Sequence, residues 1–278
     1  MNDDFSKDTL VLVGHGSALN GEFSMPTNRQ AAELRSRKVF GQVLEAFWQT
    51  EPDLSGVLRG AAGRRVFIVP MFLSEGYCTE EVIPREMGFE CLGEKQYSRS
   101  QTIGEQDVYC CGPVGTHETM TEVLLASAQG VIEQHPFPRA PKPADCSLFV
   151  AGRGTSNNEN SRKVIESHVE LIGERGIYRD VHASFMEEDP KIEACWTKAE
   201  TKNLVMVPFF ISAGPHSYEH IPKMLGEPER MVRKRLDADQ PTWRNPTERN
   251  GKRLWYSRCI GDEPTLADVI LQRAREVQ

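Results

Sequence analysis

The chain is written twice. Displaced by 138 residues without a gap, the sequence lays Gly14, Gly16 and Ser17 on Gly152, Gly154 and Thr155. The same displacement puts "AFWQTEPDL" from Ala46 on "SFMEEDPKI" from Ser184, and "VFIVPMFLSEGYCTEEVIP" from Val66 on "LVMVPFFISAGPHSYEHIP" from Leu204. After Pro84 and Pro222 the register breaks, then resumes at an offset of 146, with "VYCCGPVGTHETMTEVLL" from Val108 on "LWYSRCIGDEPTLADVIL" from Leu254. One offset held across three motifs marks a duplicated unit, so whatever one half folds into, the other must fold into as well.

Each half alternates short apolar runs with helical patterns. Strands are predicted at 9–14, 66–72 and 107–111, and again at 147–151, 180–185, 204–210 and 254–259. Helices are predicted at 28–48, 116–134, 158–174, 189–199 and 262–276. "VFIVPMF" and "LVMVPFF" are apolar almost without interruption, as strands buried on both faces are. The expectation is an α/β fold of two similar lobes with parallel sheets, an internal duplication with pseudo-twofold symmetry. The lobes would span 1–135 and 146–278, joined by a proline-rich linker at 136–145. In such sheets ligands bind beyond the carboxyl ends of the strands, where the loops carrying His15, Arg153, Cys78 and His216 fall.

Composition narrows the partner. A net charge of -7 argues against a general nucleic-acid binder, which needs a basic surface to displace counterions. An anionic ligand would need locally placed cations. Arg153 is one, and Arg35, Arg37, Lys38, Arg85 and Lys223 are others unless they are ordinary surface charges. The start "MNDDFSKDTL" has neither the basic opening nor the apolar run of a signal peptide, and no apolar run is long enough to span a bilayer. A cytoplasmic protein with no membrane partner is the expectation. The seven cysteines include no C-x-x-C pair, which points to reduced thiols and away from a zinc ribbon or an iron–sulfur cluster.

The ordered motifs "GHGS" at 14–17, "SFMEEDP" at 184–190, "PFFISAGPHSYEHIP" at 208–222 and "CGPVGTHETM" at 111–120 resemble the class II metal chelatases of the sirohydrochlorin type, the CbiX/SirB family. The resemblance covers nearly the whole chain. It implies insertion of a divalent metal, Co, Fe or Ni, into sirohydrochlorin or a related tetrapyrrole, without ATP or any nucleotide. It also implies one metal-handling histidine in the first motif and a second in the Gly-x-His element. Each half keeps only one of the pair: the first has His15 but Cys78, and the second has Arg153 but His216. A chain that divides one site between its halves, with His15 and His216 as catalytic and metal-binding residues, is one reading. A non-catalytic tetrapyrrole- or metal-binding protein derived from a chelatase is the alternative. A pseudo-dimer of this kind suits a monomer as well as a homo-oligomer.

The chemistry fits the residue types. Metallation needs a base for the pyrrole protons and a ligand that holds the ion while its waters leave; neutral imidazole serves either purpose near pH 7. Glu187, on the family's acidic position, would orient His216 or relay protons; otherwise it is a solvated carboxylate at a helix start. Arg153 cannot act as a base but is shaped to grip a substrate carboxylate. Gly14, Gly16, Ser17, Thr155 and Gly214 would line the substrate loops. Cys78 is either a soft metal ligand or a small thiol that fills space. Trp243 and Trp255, in the charge-rich stretch from 226 to 255, would cover a flat macrocycle if that stretch were a lid. No role falls to His220, and His117, His135, His168 and His182 have no partner pattern. A hydrolase built on Ser17 is disfavoured because "GHGS" is not a G-x-S-x-G turn.

Overall fold

The computed structural model describes residues 4–18, 20–154 and 159–277. It contains two compact units, one made of residues 1–120 and 264–278, the other of 121–263. In the first unit the parallel strands are β1 (Thr9–Gly14), β2 (Gln42–Phe47), β3 (Arg65–Pro70) and β4 (Gln106–Cys110), with an antiparallel edge strand at Ser100–Ile103. In the second they are β5 (Cys146–Gly152), β6 (Asp180–Phe185), β7 (Asn203–Pro208) and β8 (Lys252–Tyr256), with an antiparallel edge at Thr247–Arg249. The orders are β2-β1-β3-β4-edge and β6-β5-β7-β8-edge, one doubly wound topology built twice. Strands β2, β3 and β4 map onto β6, β7 and β8 at the sequence offsets without a residue of slip. All of β1 and β5 is buried, the condition for central strands sandwiched between helices.

The long helix predicted at 28–48 is corrected. The structure has α1 at Met25–Arg37 and strand β2 at Gln42–Phe47 in its place. The helix stops without a glycine because Lys38 adopts the left-handed conformation, at φ 54°. Polar residues on β2 hid the strand. Glu45, which reads as helical, lies on an edge strand and is ion-paired to Arg35 of α1. The helix predicted at 189–199 is likewise only two short turns, Ile192–Ala194 and Cys195–Lys198.

Two further helices, α2 (Met120–Gln134) and α3 (Glu159–Glu174), precede α4 (Glu229–Asp237) and α5 (Leu266–Arg275). The compact units do not follow the expected boundaries at 135 and 146. From its second residue on, α2 belongs with the second unit, where Arg175 donates to Thr121 Oγ1 at 2.7 Å and Ser127 Oγ donates to Glu263 at 3.3 Å. Conversely, α5 belongs with the first unit: Arg273 donates twice to the Pro113 carbonyl, at 2.9 and 3.1 Å, and Asp268 pairs with Arg37. Each unit is therefore completed by the closing helix of the other repeat. The proline-rich stretch 136–145 lies inside the second unit.

Tryptophans 243 and 255 do not form a lid. Trp255 is fully buried and donates to the His135 carbonyl at 2.9 Å; Trp243 is 5% exposed and donates to the Leu254 carbonyl at 3.3 Å. Among the described residues no helix is long and apolar enough to cross a membrane. Because Trp255 is core, Trp255→Ala should lower stability by about 3–5 kcal/mol. Urea denaturation followed by circular dichroism measures this; a lid residue would leave the midpoint unmoved.

Candidate active site

The candidate residues sit on three loops at the carboxyl ends of the strands. In both units the loop after the first strand is held by the loop after the second. Trp48 N donates to Gly14 O at 3.1 Å and Gln49 N to His15 O at 3.0 Å; Met186 N donates to Gly152 O at 3.1 Å and Glu187 N to Arg153 O at 3.0 Å. Gly16 and Gly154 take left-handed φ values of 67° and 64°, and a Cβ on either would come within 2.9 Å of the Cβ of Phe47 or Phe185. Only glycine fits this turn. Ser17 accepts from Asn20 N at 3.2 Å, while Thr155 lies outside the described residues.

The third loop closes in a π-helical turn, at Cys78–Val82 in the first unit and His216–His220 in the second. Such single wide turns are rare and recur at functional sites. The entry is capped the same way twice. Thr79 Oγ1 accepts from Gly76 N at 3.0 Å and donates to Gly76 O at 3.2 Å; Ser217 Oγ does so with Gly214 at 3.1 and 3.0 Å. At the exit, Ile83 N reaches Cys78 O and Ile221 N reaches His216 O, five residues back. The next residues, Pro84 and Pro222, have no N–H, so the carbonyls of Thr79 and Ser217 lose their donors within the turn. Different side chains replace them. Tyr256 OH donates to Ser217 O at 2.8 Å. In the first unit Cys110 occupies the place of Tyr256, and Arg99 donates to Thr79 O at 3.2 Å while pairing with Glu80.

The second unit gathers most of the chemistry. Arg153 Nε donates to Glu187 Oε1 at 2.7 Å, with both side chains about half exposed. His216 Nδ1 lies 3.1 Å from His220 Nδ1, and its ring stacks on Phe210 with centroids 6.1 Å apart. Glu187 is thus bound to Arg153, and the ring that orients His216 is His220. Burial, then the neighbouring His220 and Arg153 charges, hold the His216 pKa below the usual histidine value, outweighing Glu187. The imidazole is neutral at pH 7, free to bind a metal or accept a proton.

The first unit supplies His15 in an aromatic setting. The ring is exposed, its Nδ1 lies 2.9 Å from Gly16 O, and Trp48 meets it edge-on at 5.0 Å with Phe72 at 6.3 Å. Cys78 is half-buried, and burial raises its thiol pKa, which favours the space-filling role over the thiolate ligand. Three of the remaining histidines have structural partners: His182 with Asp180 at 2.6 Å, His117 with Glu276 at 3.2 Å, and His168 packed edge-on against Phe209. Among the described residues no group of three or more His, Cys, Asp or Glu side chains is placed to hold a metal.

Reasoning from the sequence missed His220 and Tyr256. His220 was hidden because Val82, a core residue, holds its place in the first repeat, and Tyr256 because Cys110 does. The signal that was available is Pro222, whose missing N–H demands an outside donor.

Comparison with known proteins places these features. The CbiX family model matches residues 9–130 and again 147–277. A Halobacterium salinarum protein described as a probable sirohydrochlorin cobaltochelatase is 38% identical over 96% of this chain and 90% of its own length. The sirohydrochlorin cobaltochelatase of Methanopyrus kandleri is 30% identical, and 95% of it is covered by only 47% of this chain, the length of one repeat. Among solved structures, a multi-domain Deinococcus radiodurans protein with structural similarity to chelatases matches with a TM-score of 0.78 and 29% identity. That match covers 97% of this chain but 55% of the Deinococcus one. SirB from Bacillus subtilis, solved with iron, shares the fold at a TM-score of 0.66 and 17% identity, covering 98% of this chain and 95% of SirB.

The replacement of the missing amide is testable. Tyr256→Phe keeps the ring but leaves the buried Ser217 carbonyl without its donor, and should cost about 1–3 kcal/mol of stability by urea denaturation.

Proposed function

Since this chain belongs to the CbiX family, we propose that it is a chelatase that inserts a divalent metal into sirohydrochlorin or a closely related tetrapyrrole without a nucleotide. The observation that carries the reading is the neutral, half-buried His216 set beside an Arg153–Glu187 pair on family loops. The two curated relatives named as cobaltochelatases favour cobalt over iron or nickel.

Each residue has a distinct task. Metallation removes two protons from pyrrole nitrogens and exchanges the waters of the ion for ring nitrogens. His216 offers a lone pair to the ion or to a pyrrole proton, and its depressed pKa keeps that lone pair available at pH 7. Acid works against it: as pH falls through the depressed pKa, the proton takes the lone pair and metal handling is lost. In the first unit His15, edge-on to Trp48, offers an imidazole of its own on a surface where the aromatic rings present a face to a flat macrocycle. Arg153 binds a substrate carboxylate through its planar fork, and Glu187 aims that fork. Gly14, Gly16 and Gly214 shape the loops so that the macrocycle approaches backbone.

The direct test is anaerobic incubation with sirohydrochlorin and CoCl2, no nucleotide added, followed by the absorbance change of the macrocycle. Turnover is expected. Binding of sirohydrochlorin with no metallation would instead favour the non-catalytic binding protein. His216→Ala and His15→Ala should each lower kcat about a hundredfold or more. Combining them should add little if the two histidines serve one step, because groups acting as a unit give non-additive losses. Full activity in His15→Ala would remove His15 from the chemistry.

Arg153→Ala should weaken sirohydrochlorin binding by about 1.5–3 kcal/mol, the usual worth of a charge-assisted hydrogen bond, and leave Co2+ binding unchanged. Fluorescence quenching titrations with each ligand separate the two effects.

A further inference from the structure

We infer that His216 and His220 form a two-imidazole metal clamp, in which a single turn of the second unit captures the divalent ion through both Nδ1 atoms. The inference rests on the chelatase reading for its choice of metal, and on geometry for the site. The two residues stand four apart on the π-helical turn, one above the other, with ring planes inclined at 59° and the Nδ1 atoms 3.1 Å apart. Two imidazole nitrogens bonded to one ion at about 2.05 Å and separated by this distance subtend about 98° at the metal. That bite lies between the octahedral angle of about 90° and the tetrahedral angle of about 109°. The spacing of the two nitrogens can stay as it is, while each ring turns its Nδ1 lone pair off the N–N line toward the ion.

The turn is built to hold this spacing. Ser217 and Gly214 lock its entry, and Tyr256 holds the carbonyl that Pro222 leaves open. Phe210 backs the His216 ring. The first unit has the same turn with Cys78 and the buried Val82 at the equivalent positions, so the scaffold is repeated and the imidazole pair is not.

Proton balance is simple. Without metal, one neutral ring donates its Nδ1–H to the other ring's Nδ1 lone pair. When both Nδ1 atoms bind the ion, the donor ring takes its proton on Nε2 instead, and no net proton leaves. Two protein ligands leave the other coordination positions to water, which tetrapyrrole nitrogens can replace one at a time. A closed four-ligand cage would hold the ion too well to deliver it.

The first test uses the unmutated protein with ZnCl2 as a diamagnetic probe and long-range 1H–15N spectra of the imidazoles. Both His216 and His220 should become Nε2–H tautomers with shifted Nδ1 resonances; an unchanged His220 overturns the clamp. The second test titrates CoCl2 calorimetrically into the unmutated protein, His216→Ala, His220→Ala and the double variant, with circular dichroism confirming the fold of each. Each single change should weaken Co2+ binding about tenfold or more, and the double change should add little. A folded His220→Ala that binds Co2+ as tightly as the unmutated protein overturns the proposal. The chelatase reading fails on a different measurement: Co2+ held by both rings with no metallation of sirohydrochlorin sinks the activity and leaves the clamp standing.

Discussion

Backbone amides of Trp48 and Gln49 donate to the carbonyls of Gly14 and His15, and those of Met186 and Glu187 donate to Gly152 and Arg153. These bonds involve no side chain, so the loops they fix keep their path whatever side chains they carry, provided glycine stays at 16 and 154. The rest of the molecule follows from that freedom. His15 could become Arg153, and Gln49 could become Glu187, without moving the turn that presents them. The π-helical turn obeys the same logic one loop further on. Its path is set by Gly76 or Gly214 at the entry and Pro84 or Pro222 at the exit, and the residues between are free to be Cys78 or His216.

Divergence between the halves was then a matter of filling vacated positions. Where the second unit has Tyr256 the first has Cys110, and there the carbonyl is not left unpaired; Arg99 serves it. A long cation with an acidic partner thus does in one unit what a neutral phenol does in the other.

The sheet architecture was legible because it rests on long apolar runs read twice. "VFIVPMF" and "LVMVPFF" read as strands buried on both faces, and seven of the eight parallel strands were foreseen. The eighth, β2, was not: its polar residues reach helix α1, and no glycine marks the end of that helix. The duplicate could have exposed it, since 180–185 in the second repeat reads as a strand at the same register. At the site, the loops were legible from glycine spacing, whereas the His216–His220 contact was not, because it depends on the hydrogen-bond pattern of one turn. Trp243 and Trp255 misled for a simpler reason: a charged neighbourhood in sequence says little about which of its residues, in a strand like Trp255 or before one like Trp243, face inward.

The exchange of closing helices sets a timetable for synthesis. The first unit needs helix α5, whose residues leave the ribosome after those of the entire second unit. At about 5–20 residues per second, the sheet formed by β1 to β4 waits roughly ten to thirty seconds for the helix that packs beside α1 on β3. The second unit is made during that interval and has every residue it requires before α5 begins, including α2, which emerged before its own sheet. The unit written second is therefore the first that can be finished, and the nascent chain must keep a half-covered apolar sheet out of trouble until helix α5 arrives.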